Sequence, residues 1–153
     1  TLPPDAPDYD RGVFARSTEA ARGIGTGALA PAAVDVAAWS TDEWLHFLNE
    51  LPVTFSAAEM AKLDRAWKLT ERGNAEIAAV WLGRAIRADY ASAYPRLESF
   101  LTSIGRRKYL KPLYAELLRT PAGRARAEAI YAKARAAYHP IAQSTLDRMF
   151  AGK

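Results

Sequence analysis

Apolar residues recur along this chain at helical spacing, and short polar or Gly/Pro clusters cut the pattern into segments. The spacing predicts a first helix from Tyr9 to about Gly23, with Val13, Phe14 and Ala21 among its apolar positions. "GIGTGALAP" ends it, because three glycines and a proline are backbone punctuation. "VDVAAWS" reads as strand by β-branching but has no second strand to pair with. Ser40 or Thr41 caps the next helix, which carries Trp44, Leu45, Phe47 and Leu48 and stops at Pro52. "SAAE", Ser56 to Glu59, is a capping box, in which a hydroxyl and a carboxylate satisfy two amides left open at a helix start. Met60, Leu63 and Trp67 follow at i, i+3 and i+7. Gly73-Asn74 is read as stopping that helix and starting another. The arc of Ile77, Val80, Trp81 and Ala85, with Leu82 and Ile86 beside it, is wide enough for packing on more than one side. Such an arc, or the Pro-rich N-terminus, would also suit docking onto an upstream domain.

Ser92 to Ile104 carries a stripe of Tyr94, Leu97, Phe100, Leu101 and Ile104, and Gly105 sits where a left-handed residue would close the helix. Pro112 is either the first residue of the next helix or a kink inside it. Thr120-Pro121 is an N-cap followed by Pro at the first helical position, opening an Ala-rich helix to Tyr138. His139-Pro140 ends that helix and opens a last short one through Ile141, Leu146 and Met149, finished near Gly152. No segment sustains period-two alternation with hairpin turns. The pattern therefore predicts an all-α fold of seven or eight helices with short connections. Stacked helix pairs of a solenoid and a closed bundle both satisfy it.

A length of 153 residues is one domain with room for a sizeable core, and half apolar with a quarter charged is globular composition. The apolar runs are far short of a membrane span, which predicts a soluble protein, with a cytoplasmic location favoured. The absence of cysteine excludes disulfides and thiol catalysis. "TLPPDAPDYD" has neither the basic nor the apolar region of a signal peptide. Its prolines make residues 1–8 read as a stiff linker from a preceding domain, with 9–153 as the helical domain.

Charge changes the picture more. Ser103 to Arg135 holds nine Lys/Arg against Glu116 and Glu128, a local +7 within a total of +4, so the rest of the chain is net acidic. The excess peaks in "SIGRRKYLKPLY", four cations and two tyrosines in twelve residues. Three readings stay open for it: a solvated basic face, a small-anion corner, and a nucleic-acid surface. Arg106 and Lys108 would point about 200° apart on a helix but share a side of an extended segment, with Arg107 opposite. A non-helical turn after Gly105 would then aim a guanidinium, an ammonium and backbone amides at one anion.

No catalytic apparatus accompanies this stretch. His46 and His139 stand 93 residues apart, one on an aromatic-rich helix and one before a proline, and no His-Glu-x-x-His occurs. Ser56 is explained by capping, and "GIGTG" lacks the preceding strand of a phosphate loop. The four tryptophans fall at core spacing. Read alone, the chain carries no metal, no cofactor and no enzyme active site.

"LPPDAPDYD", "GNAEIAAVWLGRAIRADY", "GRRKYLKPLYAEL" and "YHPIAQSTL" together resemble the C-terminal domain of the leukotriene A(4) hydrolase and aminopeptidase B branch of zinc aminopeptidases. The likeness runs from Leu2 to about Leu146, and the Gly-Arg-x-Lys-aromatic-x-x-Pro-Leu run is its most specific part. The resemblance implies an armadillo/HEAT-like helical superhelix, an α-solenoid. It further implies an upstream catalytic domain in the same polypeptide that holds the zinc, and a short peptide substrate. By matching position, Arg106 and Lys108 would bind the peptide's C-terminal carboxylate, while Arg107 and Tyr109 receive no role. A free-standing helical scaffold for proteins stands as the alternative, with a nucleic-acid binder ranked after it.

Overall fold

A computed structural model describes the backbone of residues 6–152 apart from Val53 and Gly105, with side chains from Ala15 onward. The expectations placed on residues 1–5, on the side chains of Val13 and Phe14, and on Gly105 lie outside the described residues. Eight α-helices and four single 3₁₀ turns make up the described structure, without a strand among them. The chain packs as two units, Thr1–Val80 and Trp81–Lys153.

In the first unit α1, Ala6–Gly25, begins within the stretch read as linker and packs on α2, Thr41–Glu50. The ambiguous "VDVAAWS" is a turn rather than a strand: the Asp35 carboxylate accepts from Ala37 N at 3.1 Å, and Val36 O accepts from Trp39 N at 3.1 Å. Local side-chain bonding outcompetes a strand that has no neighbour. Ser40 opens α2 with a full capping box, its hydroxyl accepting from Glu43 N at 3.2 Å and Glu43 Oε1 from Ser40 N at 3.1 Å. Ser56 and Glu59 repeat the device at α3, Ala57–Trp67. Trp39, Trp44, Phe47 and Trp67 then gather into one aromatic cluster with centroids 4.9–6.5 Å apart.

α3 ends earlier than Gly73-Asn74 suggests. Lys68 takes a left-handed conformation at φ 52°, and a 3₁₀ turn over Leu69–Glu71 follows. The Asp64 carboxylate secures this break, accepting from Thr70 N at 2.9 Å and Thr70 Oγ1 at 2.6 Å. Asn74 does open α4, Ala75–Ala88, its side-chain oxygen accepting from Glu76 N and Ile77 N. Ile77, Trp81, Leu82 and Ala85 are all buried within the chain. Val80 and Ile86 of the same arc are half-buried. Among the described residues Ile141 is the exposed large hydrophobic.

The second unit is built from α5, Tyr94–Ser103; α6, Arg107–Leu117; α7, Pro121–Ala134; and α8, Pro140–Phe150. α5 and α6 both pack on α7, and α6 also packs on α8. Leu97, Phe100, Leu101, Leu110, Leu113 and Leu146 fill its core. Tyr114 and Tyr138 sit inside that core because their hydroxyls have partners. Tyr114 donates to Tyr138 at 3.0 Å, and Tyr138 donates to the carbonyl of Leu101. Burial raises both hydroxyl pKa values. His139 caps α8, its ring Nδ1 accepting from Ile141 N at 3.1 Å, so it opens the last helix as expected. No described helix is long and apolar enough to cross a membrane.

Candidate functional site

The basic stretch lies at the start of α6. Leu110, Leu113, Tyr114 and Leu117 turn one face of this helix into the core, leaving Arg107, Lys108 and Lys111 exposed on the other positions. Pro112 lies inside the helix, where it removes the amide that would bond the carbonyl of Lys108. Arg106 is the N-cap residue in extended conformation (φ −79°, ψ 123°), and its carbonyl accepts from Tyr109 N and Leu110 N.

This corrects one expectation. Only Arg106 is extended; Arg107 and Lys108 already belong to the first helical turn. What Arg106 and Lys108 share is the ring of Tyr109. The Arg106 guanidinium carbon stands 6.0 Å and Lys108 Nζ 5.5 Å from its centroid. Arg107 goes elsewhere, placing Nη1 3.5 Å from Thr145 Oγ1 on α8.

Tyr109 is the residue that sequence reasoning passed over. It is buried, with its ring edge-on to Phe100 at 6.1 Å, and Arg96 in turn lies over Phe100 at 5.3 Å. The signal was present: an aromatic next to Lys108 and three residues after Arg106 falls where both cations can reach one ring. The negative potential of the aromatic face attracts each of the two cations.

The start of α6 is also unlike those of α2, α3 and α4. Those carry a Ser or Asn cap and an acidic residue in the first turn, whereas α6 has no side-chain cap and no acid there. Cations near the positive end of a helix dipole are unfavourable by a few tenths to about 1 kcal/mol each. An anion reverses the sign of that interaction. The arrangement therefore suits a monovalent planar anion, met by a directional guanidinium and an ammonium point charge.

The histidines are placed apart from this corner. His46 Nε2 bonds Thr18 Oγ1 at 2.7 Å between α1 and α2, and His139 is the α8 cap. No group of three His, Cys, Asp or Glu side chains that could hold a metal occurs among the described residues.

Three kinds of comparison bear on this chain. The family model described as "Leukotriene A4 hydrolase, C-terminal" matches residues 39–150. A protein named leucine aminopeptidase 2 from Neurospora crassa is 32% identical over 152 residues, covering 96% of this chain and 22% of that protein. A leukotriene A-4 hydrolase homolog from Botryotinia fuckeliana is 20% identical over 95% of the chain and 23% of its own length. The structure of native yeast LTA4 hydrolase superposes on 92% of the chain with a TM-score of 0.77 at 21% identity, over 26% of that structure. That likeness shows the fold, the armadillo-like helical class that the family resemblance implies. The chain spans about a quarter of the length of these relatives.

Proposed function

The chain belongs to the leukotriene A4 hydrolase C-terminal family, and from that premise we propose that it forms one wall of the substrate cleft of a longer zinc aminopeptidase. In this reading Arg106 and Lys108 bind the C-terminal carboxylate of a short peptide. The observation that carries it is their convergence on Tyr109 at a helix start that has neither cap nor acid. Arg106 supplies a directional, bidentate contact, and Lys108 adds a point charge beside the same ring. Tyr109 lies within cation–π reach of both.

In this reading an upstream domain of the longer protein holds the zinc, and this chain contributes no ligand to it. The zinc there would polarise the scissile carbonyl and activate water. The role of this chain is to hold the far end of the peptide, which fixes how deep its N-terminus reaches.

Kinetics of the full-length protein carrying this segment test the reading. Arg106→Ala should lower kcat/KM on free tripeptides by roughly ten- to 150-fold, the equivalent of losing a charge-assisted contact of about 1.5–3 kcal/mol. Lys108→Ala should cost less, and Arg107→Ala should be nearly silent. The losses should shrink on tripeptides amidated at the C-terminus. Equal losses on both substrates would show that the two cations support the fold or steer at long range, and would remove the carboxylate role.

A further inference from the structure

Cations of α6 and α8, Lys108 among them, define a second feature. A depression of about 440 Å³ between α6 and α8 is lined by Arg107, Lys108, Lys111, Pro112, Thr145 and Arg148. Two helical spacings build it. Arg107 and Lys111 stand at i and i+4 on α6, and Thr145 and Arg148 at i and i+3 on α8, so each pair shares a face. Thr145 is buried, 8% exposed, and its hydroxyl lies 3.5 Å from Arg107 Nη1 at the floor. Arg106 and Tyr109 are not part of this lining.

The lining holds no carboxylate. This is not the habit of the unit. Arg119, Arg124, Lys133 and Arg135 pair with Glu116, Glu128, Glu98 and Asp147 respectively. Among the described residues no carboxylate pairs with Arg107, Lys111 or Arg148. Four like charges line this concave surface, Lys108 among them; they repel one another, and their common field concentrates counter-charge. One carboxylate would offset one of them. A ligand with several charges on adjoining tetrahedral groups would offset several at once, and phosphoryl oxygens match both the guanidinium fork and the compact ammonium.

We propose that the α6–α8 depression is a binding site for a multivalent phosphate-class anion, a polyphosphate or the phosphate chain of a nucleotide. The inference shares Lys108 with the carboxylate reading but rests on Arg107, Lys111 and Arg148, which that reading does not use.

Isothermal titration of the chain with tripolyphosphate at constant ionic strength tests it. Saturable one-to-one binding is expected, and acetate at the same ionic strength should not compete. Arg107→Gln, Lys111→Gln and Arg148→Gln should each weaken tripolyphosphate by about two- to fivefold, as for exposed charge contacts, and the triple variant by roughly tenfold or more. Arg106→Gln should leave it within about twofold, although the same position governs peptide turnover in the carboxylate reading. ATP separates the two sources: equal affinity assigns a site that reads phosphates alone, and tighter binding a site that also takes the nucleoside. The control removes three paired charges elsewhere, by Arg119→Gln, Arg124→Gln and Lys133→Gln together, with circular dichroism confirming the fold of every variant. A control loss as large as that of the site triple would overturn the proposal in favour of bulk charge, as would absence of saturation. Tighter binding of a single-stranded oligonucleotide with a steep salt slope would overturn it in favour of nucleic acid.

Discussion

Glu43 stands at a helix start with 6% of its surface exposed, and it answers three demands at once. It accepts from the Ser40 amide, it receives both Nε and Nη2 of Arg16, the latter at 2.7 Å, and its pKa falls to about 2 chiefly through the Arg16 hydrogen bonds. Arg16 also donates to the carbonyl of Ala38 at 3.1 Å, so one ion pair fastens α1 to both the turn and α2. A carboxyl whose native pKa lies below its unfolded value of about 4.3 stabilises the fold at neutral pH. That contribution is lost as pH falls from about 5 towards about 2. Glu43→Gln should therefore cost about 1–3 kcal/mol at pH 7, and the gap to the unsubstituted chain should narrow in urea melts at lower pH. A gap independent of pH would mean that packing, not charge, is what the carboxylate contributes. Ser40-x-x-Glu43 is as plain in the sequence as Ser56-x-x-Glu59. Its burial is not, because that depends on a guanidinium 27 residues away.

Helix boundaries follow the same division between local and distant causes. Ser56, Asn74 and Thr120-Pro121 mark helix starts legibly because capping is decided within four residues of chain. The end of α3 is not legible, since a lysine at φ 52° is held there by the bonds from Thr70 to Asp64, and lysine carries no turn signal. The start of α6 shows how such a boundary shapes a site: beginning the helix at Arg107 takes Lys108 out of an extended run, and the buried Tyr109 ring is what it shares with Arg106. The next connection, from α6 to α7, is unusually tight. A Cβ at Gly123 would stand 2.2 Å from the carbonyl oxygen of Leu117 and 2.8 Å from Thr120 Oγ1. Backbone cannot yield as a side chain can, so Gly123→Ala should destabilise by about 1–3 kcal/mol despite the better helix propensity of alanine. A thermal melt that is unchanged or raised would show that the turn relaxes without cost.

For the whole molecule, the amphipathic pattern specifies an all-helical fold with its apolar positions enclosed, and the described residues bear this out. The purified chain should give a circular dichroism spectrum dominated by helix and should release no N-terminal residue from peptides when zinc is added; zinc-dependent release would place catalysis within this chain. The bond from Tyr138 to Leu101 has a consequence at this scale. Leu101 is in the last turn of α5, where helix carbonyls run out of amide partners, and its partner arrives from 37 residues further along. The corner leading to Arg106 is therefore moored by a hydroxyl from beyond α7. In Tyr138→Phe both the Leu101 carbonyl and the Tyr114 hydroxyl lose that partner, at a cost of about 1–3 kcal/mol. Opening should be local before it is global, with amide exchange quickening from Leu101 to Leu110 ahead of the remainder of the unit. By the same logic, a chain truncated before Tyr138 keeps every cation of the basic stretch and loses the tether that fixes where they stand.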